Sequence, residues 1–295
     1  MGAIQHLIKG RETDLGGLKV LRVLPSAQRR MVGPFVFVDH IGPVTFAPGQ
    51  GMDVRAHPHI GLATVTYLFE GELMHRDSLG TTQRIAPGDV NWMVAGRGIV
   101  HSERTPPELR ARGSRAHGVQ TWVAAPRERE DDAPSFEHHP AAALPRIDRP
   151  GVAVRVIAGT AFGTRAPVGV PSPTLYCSLK FDASATLAIP TEHAERAVYV
   201  VAGVIEIGGE LLAAGQIAVL TPDIEVAVQA KSQARAMLLG GDPVGERLVV
   251  WNFVASTRER IDAAKAEWMR YSDVAARKRF GSIAGETEFI PLPAR

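Results

Sequence analysis

The sequence is poor in cysteine and in long apolar runs. Cys177 is the single cysteine among 295 residues, which excludes an internal disulfide framework and a cysteine-rich metal site. It stands in an apolar run with strand character, so we expect a buried side chain rather than a reactive thiol. No stretch reaches membrane-spanning length, and residues 1–11 lack the apolar segment of a signal peptide. These absences lead us to expect a cytoplasmic protein that makes no membrane contact.

The chain also has little excess charge of either sign. Lysine and arginine number 33 and aspartate and glutamate 31, and the two signs are interspersed. This pattern has no basic footprint for nucleic acid or an anionic membrane, so we expect no direct nucleic-acid binding. Apolar residues make up 45% of the chain, as in globular proteins, and the length favours two domains.

Short apolar runs broken by glycine and proline fill most of the sequence, which predicts an all-β protein. Residues 62–70 and 72–77 have strand character on either side of Gly71, and we expect them to pair as a hairpin. A further strand is expected at 90–94, after the turn Pro87-Gly88-Asp89.

Helical spacing is found near the C-terminus. Ser256-Thr257-Arg258-Glu259 fits a capping box, and Ile261, Ala264 and Trp268 follow at helical intervals. We therefore expect one amphipathic helix packed on a barrel, followed by an extended tail at 286–293 that crosses back over the body.

An internal echo suggests that the β unit is duplicated, since residues 199–207 resemble residues 67–73. We assign residues 1–124 to an N-terminal barrel, 125–150 to a connector, and 151–295 to a second barrel with the helix and tail. Around 224–230, where the second half would mirror the histidine-rich segment of the first, the sequence offers Glu225 and Gln229. We therefore expect no metal site in the second barrel.

The candidate site is formed by two pairs of residues at the ends of the segment 56–103. His57 and His59 share one face of a strand, and His101 and Glu103 share one face of another, because side chains alternate along a strand. A closed meander would bring the pairs together on an inner wall. Three imidazoles and a carboxylate suit a divalent first-row metal and leave two octahedral positions open.

Each member of this set also has a structural interpretation. His57 beside a proline is compatible with a turn, and Glu103 next to Arg104 is compatible with a surface ion pair. Further along, His117, Gln120 and Trp122 are candidates to line the pocket. Alternation puts Gln120 and Trp122 on one face of a strand and His117 on the other unless a bulge intervenes, and for Trp122 we favour packing in the core. The adjacent pair His138-His139 would point apart in an extended chain, so we do not expect it to bind one metal.

These motifs resemble the pirin family of bicupins. The resemblance covers nearly the whole chain, and its most specific part is the long glycine-bearing motif before His101. The segments that carry it are His57-Pro58-His59-Ile60-Gly61, Glu70-Gly71, His75-Arg76-Asp77-Ser78, Pro87-Gly88-Asp89-Val90, Trp92 to Glu103, Gly33-Pro34-Phe35 with Asp39-His40, Gly240-Gly241-Asp242-Pro243 and Trp251-Asn252-Phe253-Val254.

The resemblance implies two β-barrels, with one iron as Fe2+ held by His57, His59, His101 and Glu103. Two positions depart from the family pattern: Ala63 stands where pirins commonly have a glutamate, and Ile60 where they often have an arginine. Because a glutamate near position 63 is itself a ligand in the wider cupin family, its loss leaves Glu103 as the needed fourth protein ligand.

Two functions follow from the resemblance. The first is a dioxygenase similar to the quercetinases among pirins, with a flavonol and O2 as substrates and Glu103 taking the proton of the flavonol hydroxyl. The alternative is a non-catalytic, iron-dependent regulator of transcription or metabolism that binds another protein. The open metal positions favour the enzyme.

Overall fold

The computed structural model describes residues 2–15 and 18–293, and most of their regular structure is β. Two α-helices are described, α1 (Pro107–Arg112) and α2 (Arg258–Trp268), with short 3₁₀ turns at Arg127–Arg129, Ala141–Ala143 and Val274–Ala276. The all-β prediction with a C-terminal helix is confirmed. The strands are β1 (Ile4–Lys9), β2 (Arg11–Asp14), β3 (Lys19–Leu24), β4 (Phe35–Phe46), β5 (Asp53–His59), β6 (Leu62–Glu70), β7 (Leu73–Asp77), β8 (Thr82–Ile85), β9 (Val90–Val94), β10 (Ile99–Arg104), β11 (Ser114–Ala124), β12 (Ser135–His139), β13 (Arg146–Arg149), β14 (Val152–Ala161), β15 (Thr164–Arg165), β16 (Thr174–Phe181), β17 (Thr186–Ile189), β18 (Glu195–Ala202), β19 (Val204–Ile207), β20 (Glu210–Ala213), β21 (Gln216–Leu220), β22 (Val226–Ala230), β23 (Ala234–Gly241), β24 (Leu248–Val250) and β25 (Phe253–Ala255).

The chain divides into two compact units, each built from two separated segments. The histidine unit comprises Ile41–Pro140 and Gly245–Arg295, and the apolar unit comprises Met1–His40 and Ala141–Val244. This division differs from the predicted succession of 1–124, 125–150 and 151–295. The N-terminal strand β1 pairs with β21, with Ile8 opposite Ile217, and so joins the apolar unit. The membership of each unit therefore follows strand pairing between segments far apart in sequence rather than the order of the chain.

The histidine unit contains the antiparallel sheet β5-β10-β7-β8, the strands β12-β9-β6-β11 of a second, seven-stranded antiparallel sheet, and the pair β24-β25. Strands β6 and β7 belong to different sheets, so the expected hairpin between them is wrong. The chain crosses from one sheet to the other at Gly71, whose φ is 80°. A Cβ at this position would lie 2.1 Å from the backbone oxygen of Arg115, which explains why only glycine fits the crossing. Strand β12, inside the predicted connector, pairs with β9 and forms one end of the second sheet.

Helix α2 packs on the histidine unit through the predicted face. Ile261, Ala264 and Trp268 are buried in one apolar cluster with residues of β5, β10 and β25. The capping-box interpretation is wrong in detail. The N-cap is Thr257 and its side chain makes no capping bond, whereas the Ser256 hydroxyl donates to Glu130 Oε2 at 2.8 Å. Burial of the apolar face, rather than a capping box, therefore accounts for the helix.

The apolar unit also consists of two antiparallel sheets, ordered β1-β21-β18-β23-β16-β14-β13 and β17-β22-β19-β20. Its interior is a cluster of aliphatic and small side chains with Phe181, and it includes Cys177, which is fully buried as expected. Burial raises the pKa of the Cys177 thiol, which keeps it protonated. Over the described part of the chain, neither helix is both long and apolar enough to cross a membrane.

Candidate metal centre

Three predicted ligands meet inside the histidine unit. His57 and His59 lie on β5, and His101 lies on the neighbouring strand β10 directly opposite His57. One ring nitrogen from each of the three lies within 4.8 Å of the others, and all three side chains are buried. The alternation predicted along β5 and the antiparallel register between β5 and β10 together produce this cluster.

Burial keeps these three rings neutral. Desolvation lowers the pKa of His57 to about 4, and it lowers the pKa of His59 and of His101 well below the ordinary value. The neighbouring histidines act in the same direction, because each protonated ring would repel the next. Neutral imidazole is the form that binds a metal, so the cluster is prepared for one at physiological pH.

The hydrogen bonds of the rings show how a metal would fit. The Nδ1–H of His57 donates to the carbonyl oxygen of Arg55 at 2.8 Å, and that of His59 donates to the carbonyl oxygen of Asn252 at 3.0 Å. Among the described residues, the buried Nε2 atoms of His59 and His101 have no hydrogen-bond partner. Buried polar atoms are rarely left unpaired in native proteins, and a divalent cation would satisfy both lone pairs. The residues present therefore fit a metal.

The fourth predicted ligand, Glu103, is placed differently. A register shift between His101 and Glu103 sets Glu103 opposite Val54, and its carboxylate is not part of the cluster of ring nitrogens. Its Oε1 lies 3.1 Å from Thr66 Oγ1. Burial raises the pKa of Glu103, an effect that the bond from Thr66 partly offsets. Its assignment as a ligand stays a prediction.

The sheet facing the histidines carries a row of polar side chains. Gln120, Thr66, Asn91 and His138 stand opposite one another across β11, β6, β9 and β12, so they share one face. Thr66 Oγ1 lies 3.0 Å from the Gln120 amide, and His138 Nδ1 lies 2.8 Å from Asn91 Oδ1. Because Thr66 also contacts Glu103, this face is the inner wall.

Aromatic rings line the same inner wall. Trp122 meets the ring of His59 edge-on at 5.1 Å, and Phe136 stacks on His75 at 4.5 Å. The predicted pairing of Gln120 and Trp122 on one face agrees with this arrangement. A β-bulge, which the sequence analysis named as the condition that would change the face of His117, occurs between His117 and Gly118. The ring of His117 packs on Phe69.

Comparison with known proteins places this architecture in a family. Residues 17–123 match the family model described as Pirin, and residues 176–272 match the model described as Pirin C-terminal cupin domain. The chain belongs to the pirin family. The two matched segments are the two cupin domains that the resemblance implied.

Individual pirins and related proteins match over almost the full length. A pirin-like protein of Caulobacter vibrioides is 48% identical over 98% of this chain and 99% of its own. A Pseudomonas aeruginosa protein named "Putative quercetin 2,3-dioxygenase" is 42% identical over 90% of this chain and 84% of its own. The crystal structure of a quercetin 2,3-dioxygenase from Acinetobacter baumannii aligns with a TM-score of 0.90 at 36% identity, covering 98% of this chain and 95% of that one.

The two departures from the pirin pattern fall outside the inner wall. Ala63 precedes Thr64 on β6 and pairs with Val94, so alternation places it on the face opposite Thr64 and Thr66. Ile60 is buried and forms a parallel bridge with Phe253. Neither change alters the three clustered histidines or the polar row of this pirin.

Three contributors to the site lie in segments that carry the family resemblance but were not predicted as site residues. His75 contacts His101, Asp77 contacts His75, and the backbone of Asn252 holds His59. The spacing of His75 and Asp77 on one strand is the same alternation that revealed His57 and His59, and it is the signal that would have pointed to them. The contact from Asn252 is made by its backbone carbonyl, so the residue type at this position gives no signal of it in the sequence.

Proposed function

We propose that the protein is an iron-dependent dioxygenase that opens the oxygenated ring of flavonols such as quercetin, with O2 as the second substrate. The observation that carries the proposal is a cluster of three buried, neutral imidazoles, two of which, His59 and His101, have an unpartnered Nε2, with the buried Glu103 on the same strand as His101. The names and near full-length similarity of the relatives support this substrate class.

His57, His59 and His101 would hold the metal, with Glu103 as the fourth ligand. When bound, a divalent metal would act as a Lewis acid and as a template for both substrates. Imidazole and carboxylate suit Fe2+ and also accommodate nickel, copper, manganese and zinc, so metal supply and geometry decide which is bound. Reconstitution with each metal in turn identifies the active form.

Glu103 would accept the proton of the flavonol 3-hydroxyl. Burial raises the pKa of its carboxyl, which makes the carboxylate a better base than an exposed glutamate. The Thr66 hydroxyl directs its one proton toward Glu103 Oε1 and Gln120 Oε1, at 3.1 and 3.0 Å, and a hydrogen bond between Gln120 and the Glu103 carboxylate also lowers the pKa of that carboxyl. This pair would hold the base in place while the proton moves to Oε.

The inner wall would orient the substrate and exclude water. The amides of Gln120 and Asn91 offer donors and acceptors to the hydroxyl and carbonyl groups of a flavonol, and Trp122 and Phe136 offer flat apolar surfaces to its rings. Ring opening takes up both atoms of O2 and releases one ring carbon as carbon monoxide. A closed apolar surround would protect the reacting ring from hydrolysis.

The test is O2 uptake and carbon monoxide release by the Fe(II)-reconstituted protein with quercetin. We expect both with the native chain, loss of both in His101→Ala, and retention in the matched control His139→Ala. His139 is a partly buried histidine on β12 whose Nε2 pairs with Glu137, outside the cluster. Protein that is shown to be iron-loaded and consumes no O2 with several flavonols and catechols would contradict the proposal and favour the non-catalytic regulator.

A further inference from the structure

The three clustered histidines differ in what fixes the proton on the nitrogen facing away from the cluster. The Nδ1 atoms of His57 and His59 face backbone carbonyl oxygens, which can only accept a hydrogen bond. Their protons are therefore fixed on Nδ1, which leaves Nε2 free as a ligand. His101 Nδ1 instead faces another imidazole nitrogen, Nδ1 of His75, at the longer distance of 3.4 Å.

An imidazole nitrogen donates or accepts according to its tautomer, so His75 alone does not fix the proton of His101. The contact between His75 and Asp77 supplies the missing constraint. His75 Nε2 lies 2.9 Å from Asp77 Oδ2, and an ionised carboxylate can only accept. The proton of His75 is therefore on Nε2, its Nδ1 presents a lone pair, and His101 donates to that lone pair from its own Nδ1.

The carboxylate is itself fixed. Asp77 is 1% exposed, and its Oδ1 accepts backbone N–H bonds from Leu79 at 2.9 Å and from Thr81 at 3.1 Å. Phe136 stacks on His75 with an interplanar angle of 24°, which keeps the His75 ring in the plane that both contacts require. Asp77 stands directly opposite His101 on β7 and β10, so the strand register brings Asp77, His75 and His101 together in one series of hydrogen bonds.

We infer that Asp77 and His75 are positioning residues that set the tautomer of His101 and thereby keep its Nε2 available to the metal. The reversed tautomer would place a proton on that Nε2 and block ligation. The inference rests on the metal centre of the proposed function, and it assigns the control of one ligand to a carboxylate that does not itself belong to the cluster.

Asp77→Asn tests the inference with minimal change of shape. The two backbone N–H groups of Leu79 and Thr81 require the amide oxygen, so the amide NH2 must face His75 Nε2. His75 then accepts at Nε2 and carries its proton on Nδ1, which faces His101 Nδ1. His101 can keep a hydrogen bond only by moving its proton to Nε2, the tautomer that cannot bind metal.

The readout is metal binding to the full-length protein, without turnover. Chelator competition with Co(II) gives the dissociation constant, and the nitrogen hyperfine pattern of the Cu(II) form counts the bound imidazoles. We expect Asp77→Asn to bind metal about 10- to 100-fold more weakly, as is typical when a partner that orients a ligand is lost. We also expect one fewer nitrogen in the Cu(II) spectrum. The control Asp132→Asn, at a partly exposed residue, removes an ion pair with Arg129 and should match the native protein.

A second pair of variants guards against a simple folding defect. His75→Gln retains a side-chain oxygen that can accept from His101 Nδ1, whereas His75→Phe removes the acceptor. We expect the glutamine variant to bind metal more tightly than the phenylalanine variant. Equal affinity in this pair, or an Asp77→Asn protein with native affinity and a native spectrum, would overturn the inference. Because none of these measurements needs substrate, a protein without dioxygenase activity would still decide it.

Discussion

Acidification of the metal-free protein should weaken its fold through the clustered histidines. Desolvation lowers the pKa of His57 to about 4, and the pKa values of His59 and His101 are also lowered. Below the ordinary histidine pKa, the unfolded chain takes up protons at these rings while the folded chain does not. Linkage then requires the free energy of unfolding to fall as pH falls.

The size of the effect follows from His57. Each proton of difference between the unfolded and folded states changes the free energy of unfolding by about 1.4 kcal/mol per pH unit. With a folded pKa of about 4 against an ordinary value of 6.5, this ring costs about 2 kcal/mol when the pH falls from about 7.5 to about 5. His59 and His101 add to the loss in the same direction. Glu103 opposes it, because its raised pKa lets the folded chain bind a proton first.

Urea unfolding of chelator-treated protein at a series of pH values measures this slope. In His57→Gln we expect the loss between about pH 7.5 and about pH 5 to be smaller by about 2 kcal/mol, since one titrating ring is gone. The metal-loaded protein, unfolded beside it, shows how ligation of the same rings changes the profile. A metal-free protein with equal stability at both pH values, or a His57→Gln variant with the native slope, would refute the reasoning.

Three further changes test the contacts around the site. Glu286 accepts two bonds from Arg104, at 2.9 and 2.7 Å, so Glu286→Gln should lower the free energy of unfolding in urea by about 1 to 3 kcal/mol, and an unchanged value would show that this ion pair contributes nothing. Trp268 is 1% exposed and donates from Nε1 to the carbonyl of Ile290, so Trp268→Ala should cost about 3 to 5 kcal/mol in the same assay. Thr66→Val removes a bond that lowers the pKa of Glu103, so the acid limb of the pH profile of kcat/KM should move to higher pH, and an unmoved limb would exclude Glu103 as the base.

Local sequence patterns were enough to predict the clustered histidines and the last helix. Alternation along a strand placed His57 and His59 on one face, and helical intervals identified the buried side of α2. These periodicities report which side of an element is buried, and burial is what the structure confirms. They do not report which strand lies beside which.

Most of the features that sequence reasoning missed depend on strand pairing. The hairpin expected across Gly71 is replaced by a crossing between two sheets, because β7 pairs with β10 and β8 rather than with β6. The same pairing sets Asp77 opposite His101 and allows His75 to form a hydrogen bond with each of them. Strand β12 lies in a charged, proline-containing segment that reads as a connector, yet its pairing with β9 brings His138 to the inner wall. Cross-strand neighbours cannot be read from one sequence without the register.

The hydrogen bonds that orient the three clustered histidines come from separate segments of the histidine unit. His57 is held by a neighbour two residues away, His101 by strand β7, and His59 by the backbone of Asn252, far along the chain. The C-terminal segment also pairs Phe289 with Ala56, next to His57. Segments that are separated in sequence must therefore come together before all three Nε2 atoms are aligned. Ligand geometry consequently forms together with the fold of this unit, and a change in the distant C-terminal segment reaches the cluster through the backbone that orients His59.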